Sequence, residues 1–185
     1  MKKFLFFAAS ILLSLSVQAE TIPATDARVT FVGRALKSDG SLTVDFPASY
    51  FRVAFTGKSL SMRVSDSKRD FFAVWIDCPT IAEPTRIVEV KGNDTIIPLI
   101  LPEDVKRSKV KEHQVFVQKR TEAGCGKATV HAFITDGRFV QAPAFKERQI
   151  EFIGDSYTCG YGVDALSRKD PFTDETENAS RTYAS

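Results

Sequence analysis

The sequence has 185 residues, 43% hydrophobic and 11% aromatic, enough chain for one full domain or for one domain and part of another. Its 25 Lys and Arg stand against 23 Asp and Glu, and without Lys2 and Lys3, which belong to a predicted leader, the balance is 23 to 23. A formally neutral chain carries no electrostatic footprint for nucleic acid or an anionic membrane surface, and neither is expected as a partner.

The chain opens with basic Lys2 and Lys3, an apolar stretch from Phe4 to Val17 broken by three serines, and the short residues Val17-Gln18-Ala19. This order predicts a secretory signal peptide over residues 1–19, cut after Ala19. The apolar run of 14 residues is shorter than the roughly 20 that span a bilayer. The mature chain is therefore expected in the periplasm or outside the cell, with no membrane attachment after cleavage.

Short strands follow. Ser41 to Phe46 alternates with period two, apolar at 42, 44 and 46; Tyr50 to Phe55 continues, and Ser59 to Val64 alternates again. Phe71 to Ile76 reads as a more fully buried strand, ended by Asp77-Cys78-Pro79. Further strands are predicted over Thr85–Val90, Thr95–Leu101, His113–Lys119 and Lys127–Thr135. Turn chemistry separates them: Lys91-Gly92-Asn93-Asp94, Leu101-Pro102-Glu103-Asp104, Gly124-Cys125-Gly126 and Asp136-Gly137. Strands at this spacing predict an antiparallel β-sandwich, a jelly roll, over residues 26–145. His113 and His131 both fall in these strands and read as structural. Trp75, in an apolar strand, reads as core more readily than as a sugar-stacking surface.

The three cysteines, Cys78, Cys125 and Cys159, leave at least one thiol unpaired. A Cys78–Cys125 bridge between two hairpin ends and three reduced thiols are both open readings for an exported chain. With no Cys-x-x-Cys and two isolated histidines, no metal site is expected.

After Phe145 the composition changes. Lys146-Glu147-Arg148-Gln149 is a polar connector, and Ile150 to Ile153 reads as a short buried strand. Asp164 to Asp174 is polar and turn-rich; Glu175 to Ser185 reads as the start of a helix, with Asp174 and Glu177 in a capping arrangement. Poor order is expected from Asp164 onward, because this stretch lacks packing partners in the sequence.

The strand at 150–153 runs into Gly154-Asp155-Ser156-Tyr157-Thr158-Cys159-Gly160-Tyr161-Gly162, a glycine-rich turn presenting one serine. Serine nucleophiles are displayed in this way at the edge of α/β sheets, where turn N–H groups can face a developing oxyanion. Ser156 is the candidate nucleophile, its own backbone N–H a candidate oxyanion donor, and Tyr161 a candidate lining of a substrate cleft. Asp155 reads as ordering the turn through side-chain-to-backbone hydrogen bonds.

The run Ile150 to Gly162 resembles the first motif block of the SGNH (GDSL-like) hydrolases. More narrowly, it resembles carbohydrate esterase family 2, acetyl esterases of plant polysaccharides in which a jelly roll precedes the hydrolase domain. Phe31-Val32-Gly33-Arg34-Ala35, Val53-Ala54-Phe55-Thr56-Gly57-Lys58-Ser59-Leu60 and His113 to Glu122 are similar to that jelly roll, and Thr176-Glu177-Asn178-Ala179 to the stretch after the nucleophile loop. The resemblance implies a mainly β fold followed, over residues 146–185, by the first strand and turn of a truncated α/β SGNH domain. It also implies a cofactor-free serine esterase acting on acetylated polysaccharide. Only Ser156 falls on a catalytic position. The family's glycine and asparagine oxyanion blocks and its Asp-x-x-His base have no counterpart here, and His113 and His131 follow Val110 and Ala128 at that spacing. The expectation is an N-terminal portion of an esterase, inactive alone; the alternative is a secreted, non-catalytic carbohydrate-binding sandwich.

Overall fold

The computed structural model describes residues 19–78, 82–144 and 147–184. Of the expected leader, all but Ala19 lies outside the described residues, as do Pro79 and the start of the connector at 145–146. Twelve strands are present: β1 (Glu20–Pro23), β2 (Thr30–Val32), β3 (Leu36–Ser38), β4 (Ser41–Val44), β5 (Tyr50–Thr56), β6 (Leu60–Asp66), β7 (Arg69–Ile76), β8 (Arg86–Lys91), β9 (Thr95–Ile100), β10 (His113–Lys119), β11 (Ala128–Thr135) and β12 (Arg138–Val140). The expected sandwich is formed, and its eight longer predicted strands match β4 to β11. The Leu101–Asp104 turn carries one helical turn, α1 (Pro102–Val105).

Two six-stranded antiparallel sheets make the sandwich. One runs β3-β4-β11-β6-β9, and β1 shares an edge of β11 with β4, taking Ala132–Thr135 while β4 takes Ala128–Val130. The other runs β12-β5-β10-β7-β8, with β2 and β12 sharing an edge of β5. The period-two apolar positions meet between the sheets: Val44, Phe51, Val53, Phe55, Met62, Val64, Phe72, Val74, Val117, Val130 and Phe133 are all buried there. Phe51 and Phe133 meet edge to face at 5.6 Å.

Polar residues finish the core at one end. Lys119 is fully buried and donates to Asp70 Oδ1 at 2.6 Å and to the Thr121 carbonyl at 2.6 Å. The Thr121 hydroxyl donates to the same Asp70 oxygen at 2.5 Å. Asp66 lies against Asp70; burial first, then this neighbouring carboxylate, raises its pKa to about 7.

Three expectations for the C-terminal stretch are corrected. Ile150–Ile153 forms no strand: Ile150 and Ile153 are 80% and 89% exposed. An apolar run becomes a buried strand only where a sheet receives it, and among the described residues none pairs with this one. The expected helix over Glu175 to Ser185 is not formed in its described part, to residue 184, which holds two single 3-10 turns, Asp174–Thr176 and Ala179–Arg181. The Asp174–Glu177 capping arrangement is therefore absent, and Glu177 turns inward, fully buried. The stretch from Asp164 also has packing partners after all, because it lies against the β10 end of the sandwich. Among the described residues no helix is long and apolar enough to cross a membrane.

Candidate active site

Ser156 opens a one-turn helix, α2 (Ser156–Cys159). Asp155 caps it: the carboxylate accepts from the Tyr157 N–H at 3.1 Å, the turn-ordering role the sequence suggested. Gly160 ends the helix at φ +77°, a left-handed conformation that glycine adopts at no steric cost. A Cβ there would also run into the Asn178 carbonyl, whose own N–H donates to the Gly160 carbonyl at 3.1 Å. Ser156 is exposed, and among the described residues neither its hydroxyl nor its backbone N–H has a partner. An unengaged N–H beside an exposed hydroxyl suits an oxyanion donor next to a nucleophile. Tyr161 is half exposed and stacks on Phe172 at 3.6 Å, so one ring face is covered and the other open.

Neither histidine approaches this turn. His113, buried at the start of β10, has Nδ1 2.6 Å from Asp77 Oδ2. It sits at the opposite end of the strand from Arg120, roughly 20 Å away at the rise of a β-strand. His131 is the extra residue of a bulge in β11, on the other sheet, its ring between the Ser41 and Ser65 hydroxyls at 3.1 and 2.8 Å. Both lie in strands of the sandwich, as expected. Trp75 is 1% exposed, with its indole N–H on the Ala82 carbonyl, and belongs to the packing rather than to a sugar platform.

What holds the turn is a set of polar residues at the β10 end, Lys119-Arg120-Thr121-Glu122, whose roles sequence reasoning did not find. Arg120, 3% exposed, reaches Asp164 at 2.6 Å. Burial pulls its guanidinium below the ordinary arginine value, and Asp164 opposes that. Asp164 also accepts from Asn178 Nδ2 at 2.7 Å and from Arg181 at 3.1 Å. The Arg120 carbonyl takes the Ala179 N–H, and Arg69 at the start of β7 pairs with Glu175. Glu177 accepts from the Glu122 N–H at 3.0 Å and from Cys125 Sγ at 3.2 Å. Burial pushes the Glu177 carboxyl above its usual range; the Cys159 thiol beside it is pushed up to about 12, again chiefly by burial. Glu122, Cys159 and Glu177 each bring a donor atom within 4.8 Å of the others.

Of the two open readings for the cysteines, the Cys78–Cys125 bridge is excluded. The Cys125 carbonyl accepts from Arg69 at the start of β7, and Cys78 lies beyond the other end. Eight residues of strand, about 25 Å, separate cysteines whose Cα atoms would need to be within about 7 Å.

A separate groove of about 620 Å³ crosses the outer face of the β5-β10-β7 sheet. Tyr50 and Phe116, stacked at 4.3 Å, line it with Arg52, Glu112 and Gln114.

Fold and site thus define a jelly roll that carries a capped serine turn on one end of its β10 sheet. The family described as Carbohydrate esterase 2 N-terminal matches residues 31–143, and the chain belongs to carbohydrate esterase family 2. The acetylxylan esterase / glucomannan deacetylase of Cellvibrio japonicus is 27% identical over 163 residues, 86% of this chain and 43% of that protein. The structure of a family two carbohydrate esterase from Cellvibrio japonicus superposes with a TM-score of 0.75 at 25% identity, covering 88% of this chain and 46% of that one. That of a family two carbohydrate esterase from Clostridium thermocellum, in complex with cellohexaose, gives 0.72 at 27%, covering 82% and 44%. The chain therefore spans less than half the length of these relatives.

Proposed function

We propose that the chain belongs to an exported SGNH-type serine esterase that removes acetyl groups from plant cell-wall polysaccharide. The exposed Ser156 hydroxyl, at the capped start of α2 beside its own unengaged N–H, carries the proposal. Ser156 attacks the acetyl carbonyl, its proton passes to a base, and the sugar hydroxyl leaves; water then releases acetate from the acyl-enzyme. The Ser156 N–H stabilises the oxyanion, and the open face of Tyr161 borders the sugar. Neither His113 nor His131 is placed to be the base, so the 185 residues alone are inactive. No cofactor or metal enters this chemistry. The relatives that release acetyl groups from xylan and glucomannan, by their names, support the substrate class.

Two assays test this. The purified 185-residue chain should hydrolyse p-nitrophenyl acetate no faster than its Ser156→Ala variant; robust Ser156-dependent turnover would overturn the claim of inactivity. The product of the native gene should release acetate from acetylated xylan and lose about 10³-fold or more on Ser156→Ala. Equal acetate release with and without that substitution would remove Ser156 from the reaction.

The Tyr50–Phe116 groove favours a second reading, a sandwich that binds polysaccharide without catalysis. Retarded migration of the chain in xylan-containing gels, lost on Tyr50→Ala, would support it; unretarded migration would exclude it.

A further inference from the structure

Beneath α2, four side chains from three separate stretches converge. Glu122 and Cys125 belong to the β10–β11 turn, Cys159 closes α2, and Glu177 follows the first 3-10 turn. Donor atoms of Glu122, Cys159 and Glu177 lie within 4.8 Å of one another. Cys125 Sγ reaches the same Glu177 carboxylate at 3.2 Å and lies 3.4 Å from Asp174 Oδ1. Cys125, Cys159 and Glu177 are all buried, Glu177 fully. Among the described residues no Lys or Arg pairs with either glutamate: the adjacent cations, Lys119 and Arg120, are committed to Asp70 and Asp164. Two carboxylates and the Cys159 thiol thus face one point, with the Cys125 thiol on the Glu177 carboxylate and Arg120 attracting Glu177 only through space, an arrangement that a bound cation neutralises.

We propose that Glu122, Cys125, Cys159 and Glu177 form a structural zinc site that fastens the end of α2 to the sandwich. Thiolate donors select a thiophilic ion over calcium or magnesium, which take oxygen ligands. Tetrahedral zinc with bonds of about 2.0–2.3 Å holds its ligands about 3.3–3.8 Å apart, so Glu122, Cys159 and Glu177 close by up to about 1 Å on binding and Cys125 moves in from its place on Glu177. Binding releases the two thiol protons to solvent and leaves two thiolates on the ion. The site is separate from the acyl-transfer chemistry; it secures the platform on which Ser156 stands.

The test titrates the reduced, chelator-stripped 185-residue chain with Co²⁺ and then Zn²⁺. One equivalent of Co²⁺ should give the intense visible bands of a tetrahedral site together with thiolate-to-cobalt charge transfer, and Zn²⁺ should abolish both. Cys159→Ser and Glu177→Gln should each weaken Zn²⁺ binding at least 100-fold; Cys78→Ser, at an exposed and distant thiol, should leave it unchanged. Should either variant fail to fold, ¹¹³Cd NMR of the unaltered chain reads the ligands directly, at a shift expected for two sulfurs. The proposal fails if the chain binds no stoichiometric Co²⁺ or Zn²⁺, if Cys159→Ser binds as tightly as the parent, or if the cadmium shift reports no sulfur. It fails equally if the exported protein carries a Cys125–Cys159 disulfide, read as a mass 2 Da lower and a single free thiol.

Discussion

The sandwich and the serine segment are held by different physics. Residues 20–140 close two sheets over a continuous apolar core of Phe, Val, Leu and Met, so most of their stability rests on area removed from water. In residues 147–184 the buried side chains are Cys159, Glu177, Asn178 and Ala179, and five aliphatic or Phe side chains, Ile150, Phe152, Ile153, Val163 and Leu166, face solvent. This segment is fixed by individual polar bonds, chiefly to Arg120, Glu122 and Cys125. The nucleophile turn is thus an attachment to a self-sufficient scaffold, secured at the end of β10 by a few residues.

That difference is open to attack from both sides. Lys119→Ala should have the largest effect, because it takes away the buried cation that pairs with Asp70 inside the sandwich; a loss of about 3–5 kcal/mol is expected in urea unfolding. A loss below 1 kcal/mol would mean that the polar end of the core is dispensable. A smaller effect follows from Asp66. Its pKa is raised on folding to about 7 from 3.8, so the folded state binds the extra proton. The contribution is complete below about pH 4 and is lost as pH rises through about 7. Thermal melts should show stability falling over this window, and Asp66→Asn should flatten the profile; a parent stability that rises from pH 4 to 7 and is unchanged in slope by Asp66→Asn would refute it. The smallest effect belongs to Ile153→Ser, which removes an exposed side chain and should change stability by less than about 0.5 kcal/mol. A clear destabilisation would show that the 150–153 run is packed after all.

The same contrast explains what the sequence disclosed. Strands β4 to β11 are legible because each lies in a run of six or more residues that reads as a strand against one core, the run around β4 extending from Ser41 to Phe46. The strands β1, β2, β3 and β12 have only three or four residues, too few for a pattern, and borrow the edges of β11, β4 and β5. The serine turn was legible from its glycines and from Asp155, which act locally. Its anchorage was not: Arg120 meets Asp164, and Glu122 meets Glu177, across 44 and 55 residues of chain. Ile150–Ile153 misled because hydrophobicity signals a strand without supplying the sheet that it needs. Glu177 misled because its position suggested a helix cap, whereas burial beside two thiols gave it a different use.

The most direct test of a separately anchored nucleophile turn is hydrogen exchange on the parent chain and Asp164→Ala, which removes the shared partner of Arg120, Asn178 and Arg181. In the variant, amides of Thr158 to Tyr161 and Asn178 to Thr182 should lose protection while those of β5, β7 and β10 keep theirs. Unchanged exchange in the segment, or equal loss of protection throughout the sandwich, would contradict it.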